Sequence, residues 1–139
     1  MIFNCRTAKD TQSLGARLGK VLKPGMVVSL TGPLGAGKTV LVKGVAKALG
    51  IKENIVSPTF TLVQEYSGSM SMLHLDLYRI SGCEEFEQMG GEDFLYPQGV
   101  AFIEWSEKIA EMMPADTIYI TLTIKDDHSR DVEIKGIEL

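Results

Sequence analysis

Gly32-Pro33-Leu34-Gly35-Ala36-Gly37-Lys38-Thr39 meets the pattern GxxxxGK[ST] at every specified position. The chemistry served by that spacing is the holding of a phosphate chain. Glycines reach backbone angles closed to other residues, so the chain can curl and aim successive N–H groups at one anion. A helix starting where the curl ends adds the partial positive charge of its N-terminus. Lys38 is placed to reach the β- and γ-phosphates, and the Thr39 hydroxyl to ligate magnesium. About one chain in 200 of this length matches by accident at average residue frequencies, and a strand before and a helix after lower that further. Pro33 has no N–H. The residues expected around a nucleotide are therefore Gly32, Leu34, Gly35, Ala36, Gly37, Lys38, Thr39 and Val40.

Such a loop needs an acid at the end of a neighbouring strand to hold magnesium, directly or through water. Glu104 follows the apolar run Val100-Ala101-Phe102-Ile103, which suits a buried strand with its carboxylate emerging at the end. Asp76 stands in MLHLDLY, where apolar and polar residues alternate more. One is expected to approach the metal and the other to orient water, in an order the residues alone leave open. Thr59, in Ser57-Pro58-Thr59, falls where switch segments of phosphate-loop proteins sense the γ-phosphate. It equally suits the opening of a strand. Trp105 is core filler or a lid on the nucleotide, and its spacing favours packing. His74 reads as a sheet residue rather than a catalyst.

The elements that must position these groups follow from periodicity. Leu14, Leu18, Val21 and Leu22 fall at helical spacing between Thr11 and Leu22, with Asp10 or Thr11 as the cap and Pro24-Gly25 as the stop. Met26 to Leu30 reads as a buried strand. After the loop, Val40, Leu41, Val45, Ala48 and Leu49 form a helical face ended by Gly50. Phe60 to Tyr66 and Met70 to Tyr78 suggest a hairpin. CEEFEQMGGEDFLY is expected to be helical but broken at Gly90-Gly91, and Ser106 to Met113 to be a short helix. Thr117 to Ile124 and Asp131 to Glu138 alternate around Asp-Asp-His-Ser as a second hairpin. Buried strands beside helices predict an α/β protein, one domain over residues 1–139, built as a three-layer sandwich with a mixed central sheet.

Composition removes several classes of function. A net charge of −4 with scattered basic residues argues against direct nucleic-acid binding, which needs phosphate neutralisation. Apolar runs are too short to span a bilayer, and Met1 to Asp10 carries no secretory pattern. Cys5 and Cys83 form no CxxC pair, which points to reduced thiols and a cytoplasmic location. Two histidines with so few thiols make no zinc site.

The ordered segments LTGPLGAGKT, SPTFTLVQEY, HLDLYRI and EWSEK together resemble the TsaE (formerly YjeE) family, small bacterial P-loop ATPases of threonylcarbamoyladenosine synthesis on tRNA. The resemblance runs from Thr11 to the final hairpin. It implies ATP and Mg2+ as ligands, with Lys38 and Thr39 on phosphate and metal. It also implies Thr59 as a switch threonine, Asp76 as the aspartate of HxDLYR and Glu104 as the acid associated with the metal. Thr11 and Arg130 match residues that lie near the nucleotide in the family. Pro33 departs from the aspartate common in GDLGAGKT, and Ile80 from a common leucine. The resemblance further implies a TsaD–TsaB-like partner complex, contact with tRNA only through it, and slow hydrolysis by the chain alone. A small-molecule kinase is the alternative enzyme, but Arg6, Arg17, Arg79 and Arg130 form no clustered lid. A nucleotide-gated binding module without turnover is the alternative outside enzymology.

Overall fold

Strands β1 (Ile2–Cys5), β2 (Val27–Thr31), β3 (Val63–Ser67), β4 (Ser71–Asp76), β5 (Val100–Glu104), β6 (Ile118–Ile124) and β7 (Arg130–Lys135) make one sheet in the computed structural model, which describes residues 1–139. Their order is β1-β7-β6-β2-β5-β4-β3. The four central strands β6, β2, β5 and β4 run parallel, while β3, β7 and β1 pair antiparallel at the two sides. The sheet is therefore mixed, with the antiparallel β6–β7 hairpin the sequence predicts. All five residues of β5 are buried, as expected for a parallel strand covered on both faces.

Helices α1 (Ala8–Val21) and α2 (Lys38–Ala48) cover one face. There Leu14, Leu18, Leu41 and Val45 join Val28, Leu30, Val100 and Phe102 in one apolar cluster. On the other face α3 (Cys83–Gln88) and 3-10 segments at Gly91–Leu95 and Ser106–Met112 bring Phe86, Leu95 and Ile109 onto Val27, Leu75 and Ile103. These are the three layers. Side chains alternate along a strand, so Glu104 shares the face of Val100 and Phe102, and His74 and Asp76 share the face of Met72. That face carries the two long helices.

The seating of α2 depends on glycines. A Cβ added at Gly15 would stand 2.1 Å from the Leu41 carbonyl oxygen, and one at Gly44 2.0 Å from that of Gln12. The two helix backbones thus touch directly, and this contact aims the N-terminus of α2.

The structure differs from expectation at several ends. β1 is an additional edge strand on β7. The first helix starts three residues before Thr11, capped by Thr7 rather than by Asp10 or Thr11. The Thr7 hydroxyl accepts from Asp10 N at 3.1 Å, and the Asp10 carboxylate accepts from Thr7 N at 3.2 Å. This reciprocal box satisfies two donors at the helix start, and it leaves Thr11 buried inside the first turn. The strand expected from Phe60 begins at Val63, because Thr61 N and Leu62 N both turn back to Pro58 O. Its partner is shorter than the predicted Met70–Tyr78. The acidic segment breaks at Gly90 (φ +79), as its glycine pair predicts. Ser106–Met112 is 3-10 and kinked at Ile109 rather than one regular helix. No helix is long and apolar enough to cross a membrane.

Candidate functional site

The loop between β2 and α2 lies at the C-terminal end of the central parallel strands, the usual ligand end of such sheets. Gly35 (φ +81) and Gly37 (φ +103) hold left-handed angles that a side chain would strain. Ala36 is fully buried and anchors the curl, whereas Leu34 stands at its tip, 98% exposed, and offers only backbone inward. Within the loop the Ala36 amide is satisfied by Pro33 O at 3.1 Å. The amides of Gly35, Gly37, Lys38, Thr39 and Val40 have no hydrogen-bond acceptor in the protein. The first amides of any helix lack an intrahelical acceptor; here the unpaired loop amides of Gly35 and Gly37 adjoin those at the start of α2, an arrangement suited to an anion.

Lys38 opens α2 and its side chain folds back across the loop. Its Nζ donates to Gly32 O at 2.6 Å and lies 3.4 Å from Glu104 Oε1. The other carboxylate oxygen, Oε2, is 2.8 Å from Nε2 of the fully buried His74. Burial pushes the Glu104 carboxyl up, but the His74 hydrogen bond and the charges of His74 and Lys38 outweigh it and hold the group below its ordinary range.

Asp76 is the direct cross-strand neighbour of Glu104. Its Oδ1 accepts from Tyr78 N at 2.9 Å, and its Oδ2 accepts from the Thr59 hydroxyl at 3.3 Å. The Thr59 hydroxyl in turn meets that of Ser57 at 2.7 Å. The turn at residues 58–62 thus carries Thr59 to the end of β4. The loop, Thr39, Thr59, Asp76 and Glu104 surround one cavity of about 810 Å³. The hydroxyls of Thr39 and Thr59 and the carboxylates of Asp76 and Glu104 on its lining are oxygen ligands of the kind a hard cation such as magnesium takes. No three His, Cys, Asp or Glu residues stand close enough to hold a metal by themselves.

A second cavity of about 300 Å³ lies on the other side of the loop, lined by Cys5, Thr7, Thr11, Gly37, Val40 and Arg130 among others. Arg130 reaches back from β7 and donates to Gly35 O at 3.3 Å and to His128 O. The structure so brings Thr11, Val40 and Arg130 to the same wall of the loop. Every residue that the sequence places at nucleotide, metal or attacking water lies on one of these two cavities.

Trp105 corrects the packing expectation. It is 40% exposed at φ +62, on the rim of the larger cavity, with its ring centroid 4.9 Å from that of Tyr78. The buried Ser29–Ser106 hydroxyl contact at 2.7 Å pins the turn beneath it. Sequence reasoning missed the contact of His74 with Glu104 and the part of Cys5, Thr7 and His128 in the second cavity. Shared alternation of His74 and Asp76 along β4 was the one available signal.

A three-layer α/β sandwich with a glycine loop between its central strand and the next helix is a P-loop NTPase-like protein. Residues 5–132 match the model of a family described as threonylcarbamoyl adenosine biosynthesis protein TsaE. The chain belongs to the TsaE family. It is 43% identical over 129 residues to a tRNA threonylcarbamoyladenosine biosynthesis protein TsaE of Treponema pallidum, covering 93% of this chain and 96% of that one. A Bacillus subtilis protein of the same name is 35% identical over 130 residues, covering 93% and 81%. The crystal structure of Bacillus subtilis YdiB superposes with a TM-score of 0.79 at 31% identity, covering 95% of this chain and 82% of that one.

Proposed function

We propose that this protein is a Mg-ATP-dependent hydrolase of tRNA threonylcarbamoyladenosine biosynthesis, working in the cytoplasm on a TsaD–TsaB-like complex. It does not itself transfer the threonylcarbamoyl group. The observation that carries the ATP reading is the set of unpaired amides of Gly35, Gly37, Lys38, Thr39 and Val40 beside the Lys38 side chain. The pathway comes from the family and from the names of its relatives.

In this reading the loop amides and Lys38 hold the β- and γ-phosphates, and Lys38 gives up its contact with Glu104 to do so. Thr39 and Glu104 hold Mg2+, which supplies charge neutralisation on the phosphate oxygens. Asp76 and Thr59 orient the attacking water from the opposite wall. Thr11, Val40 and Arg130 border the smaller cavity, on the side left for the base and ribose. The protein contributes positioning and electrostatic stabilisation rather than covalent chemistry. Trp105 and Tyr78 stand where a partner surface would close the larger cavity.

ATP turnover by the purified chain, with and without the TsaD–TsaB complex, tests this reading. Slow turnover that the complex changes supports it. Turnover indifferent to the complex contradicts the partner assignment, and absence of nucleotide binding contradicts the whole.

A further inference from the structure

His74 is fully buried on the helix-covered face of β4, between Gln64 of β3 and Phe102 of β5 in the strand register. Its ring makes one hydrogen bond, from Nε2 to Glu104 Oε2 at 2.8 Å, and its Nδ1 meets no partner. An ionised carboxylate can only accept. Nε2 therefore carries a hydrogen, and Nδ1 is shut away from water without a partner. An unmet buried polar atom is costly, and an apolar side chain would fill this core position without that cost. The imidazole is explained by what its other nitrogen holds.

We propose that His74 is a positioning residue for Glu104, its Nε2–H holding Oε2 so that Oε1 stays aimed into the cavity once Lys38 has left it for phosphate. Glu104 is held at both ends, by His74 at 2.8 Å and by Lys38 at 3.4 Å. In the reading above only the Lys38 contact is given up. Without the imidazole, Oε2 would lose its remaining tether at the moment Oε1 is needed beside the metal. Partners that orient a metal-associated ligand in this way commonly govern affinity about tenfold or more. The proposal rests on the assignment of Glu104 to Mg2+.

The test is the Mg2+ concentration that half-maximally strengthens binding of N-methylanthraniloyl-ADP, with binding in EDTA as the control. Glutamine carries its amide nitrogen to the place of Nε2, whereas asparagine reaches only the place of Nδ1. His74→Gln should keep the Mg2+ midpoint within about threefold of the parent, while His74→Asn and His74→Leu raise it about tenfold or more. Affinity in EDTA should be the same for all three, which a loosened fold would not permit. In a Glu104→Gln background, His74→Leu should add nothing. If Asn equals Gln, or if Leu leaves the midpoint in place while Glu104→Gln raises it, the positioning role is overturned and the metal reading stands. If Glu104→Gln also leaves the midpoint unmoved, both are overturned.

Discussion

Replacing Lys38 by Met should lower the stability of the nucleotide-free protein as well as abolish its proposed activity. Lys38 Nζ and Glu104 Oε1 are 3.4 Å apart, with Glu104 almost wholly buried and Lys38 mostly so. At an effective dielectric constant of about 20, the attraction at that distance is about 5 kcal/mol before desolvation is counted. Removing one partner of a buried pair leaves a charge uncompensated, at about 3–5 kcal/mol where burial is complete. The partial exposure of Lys38 and the retained His74 contact reduce this to about 2 kcal/mol. For 139 residues the unfolding entropy is about 0.3 kcal/mol/K, so Tm should fall by about 7 °C. Adding Glu104→Gln to Lys38→Met removes the stranded charge and should restore part of the loss. Thermal unfolding of the four proteins of this cycle, without nucleotide, gives the coupling energy directly. A value of about 1–3 kcal/mol is expected, and strict additivity within about 0.5 kcal/mol would refute the reasoning.

Gly15→Ala and Gly44→Ala should each destabilise by about 2–3 kcal/mol, because the new Cβ meets a carbonyl oxygen of the facing helix at close to 2 Å; urea unfolding checks this. The Glu104 carboxyl is held below its ordinary value of 4.5. It therefore stabilises fully above that pH and loses its contribution as pH falls through the lower folded value. Stability measured from neutral to acid pH should show a shallower decline for Glu104→Gln than for the parent. Trp105 is the sole tryptophan and stands half-exposed on the cavity rim, so its emission should change on addition of Mg-ADP and return with excess EDTA.

The phosphate loop, β5 with Glu104 at its end, and the β6–β7 hairpin were legible because each rests on local signals. A glycine pattern, a continuous apolar run and clean alternation need no tertiary context. β1 was not legible, since a four-residue edge strand with only Cys5 buried has no period to read, and its partner lies more than a hundred residues away. The cap at Thr7 was obscured by neighbouring Asp10 and Thr11, which are also good capping types; burial of Thr11 decides against it. Thr59 and Asp76 could be chosen as residue types, but their contact depends on a turn whose Leu62 takes a positive φ. Trp105 looked like core filler because nothing in its composition reveals the left-handed turn that swings it outward. The His74–Glu104 contact requires the register of β4 against β5, a tertiary quantity that one strand's residues cannot express.

The proposed seat of the nucleotide's phosphates is the set of unpaired amides of the β2–α2 loop. An amide-resolved NMR titration with Mg-ADP tests it most directly. Large, saturable shifts at Gly35, Gly37, Lys38 and Thr39, with Ala36 moved less because its amide is already paired within the loop, are the predicted result. Saturating nucleotide that leaves these resonances unmoved would contradict the account.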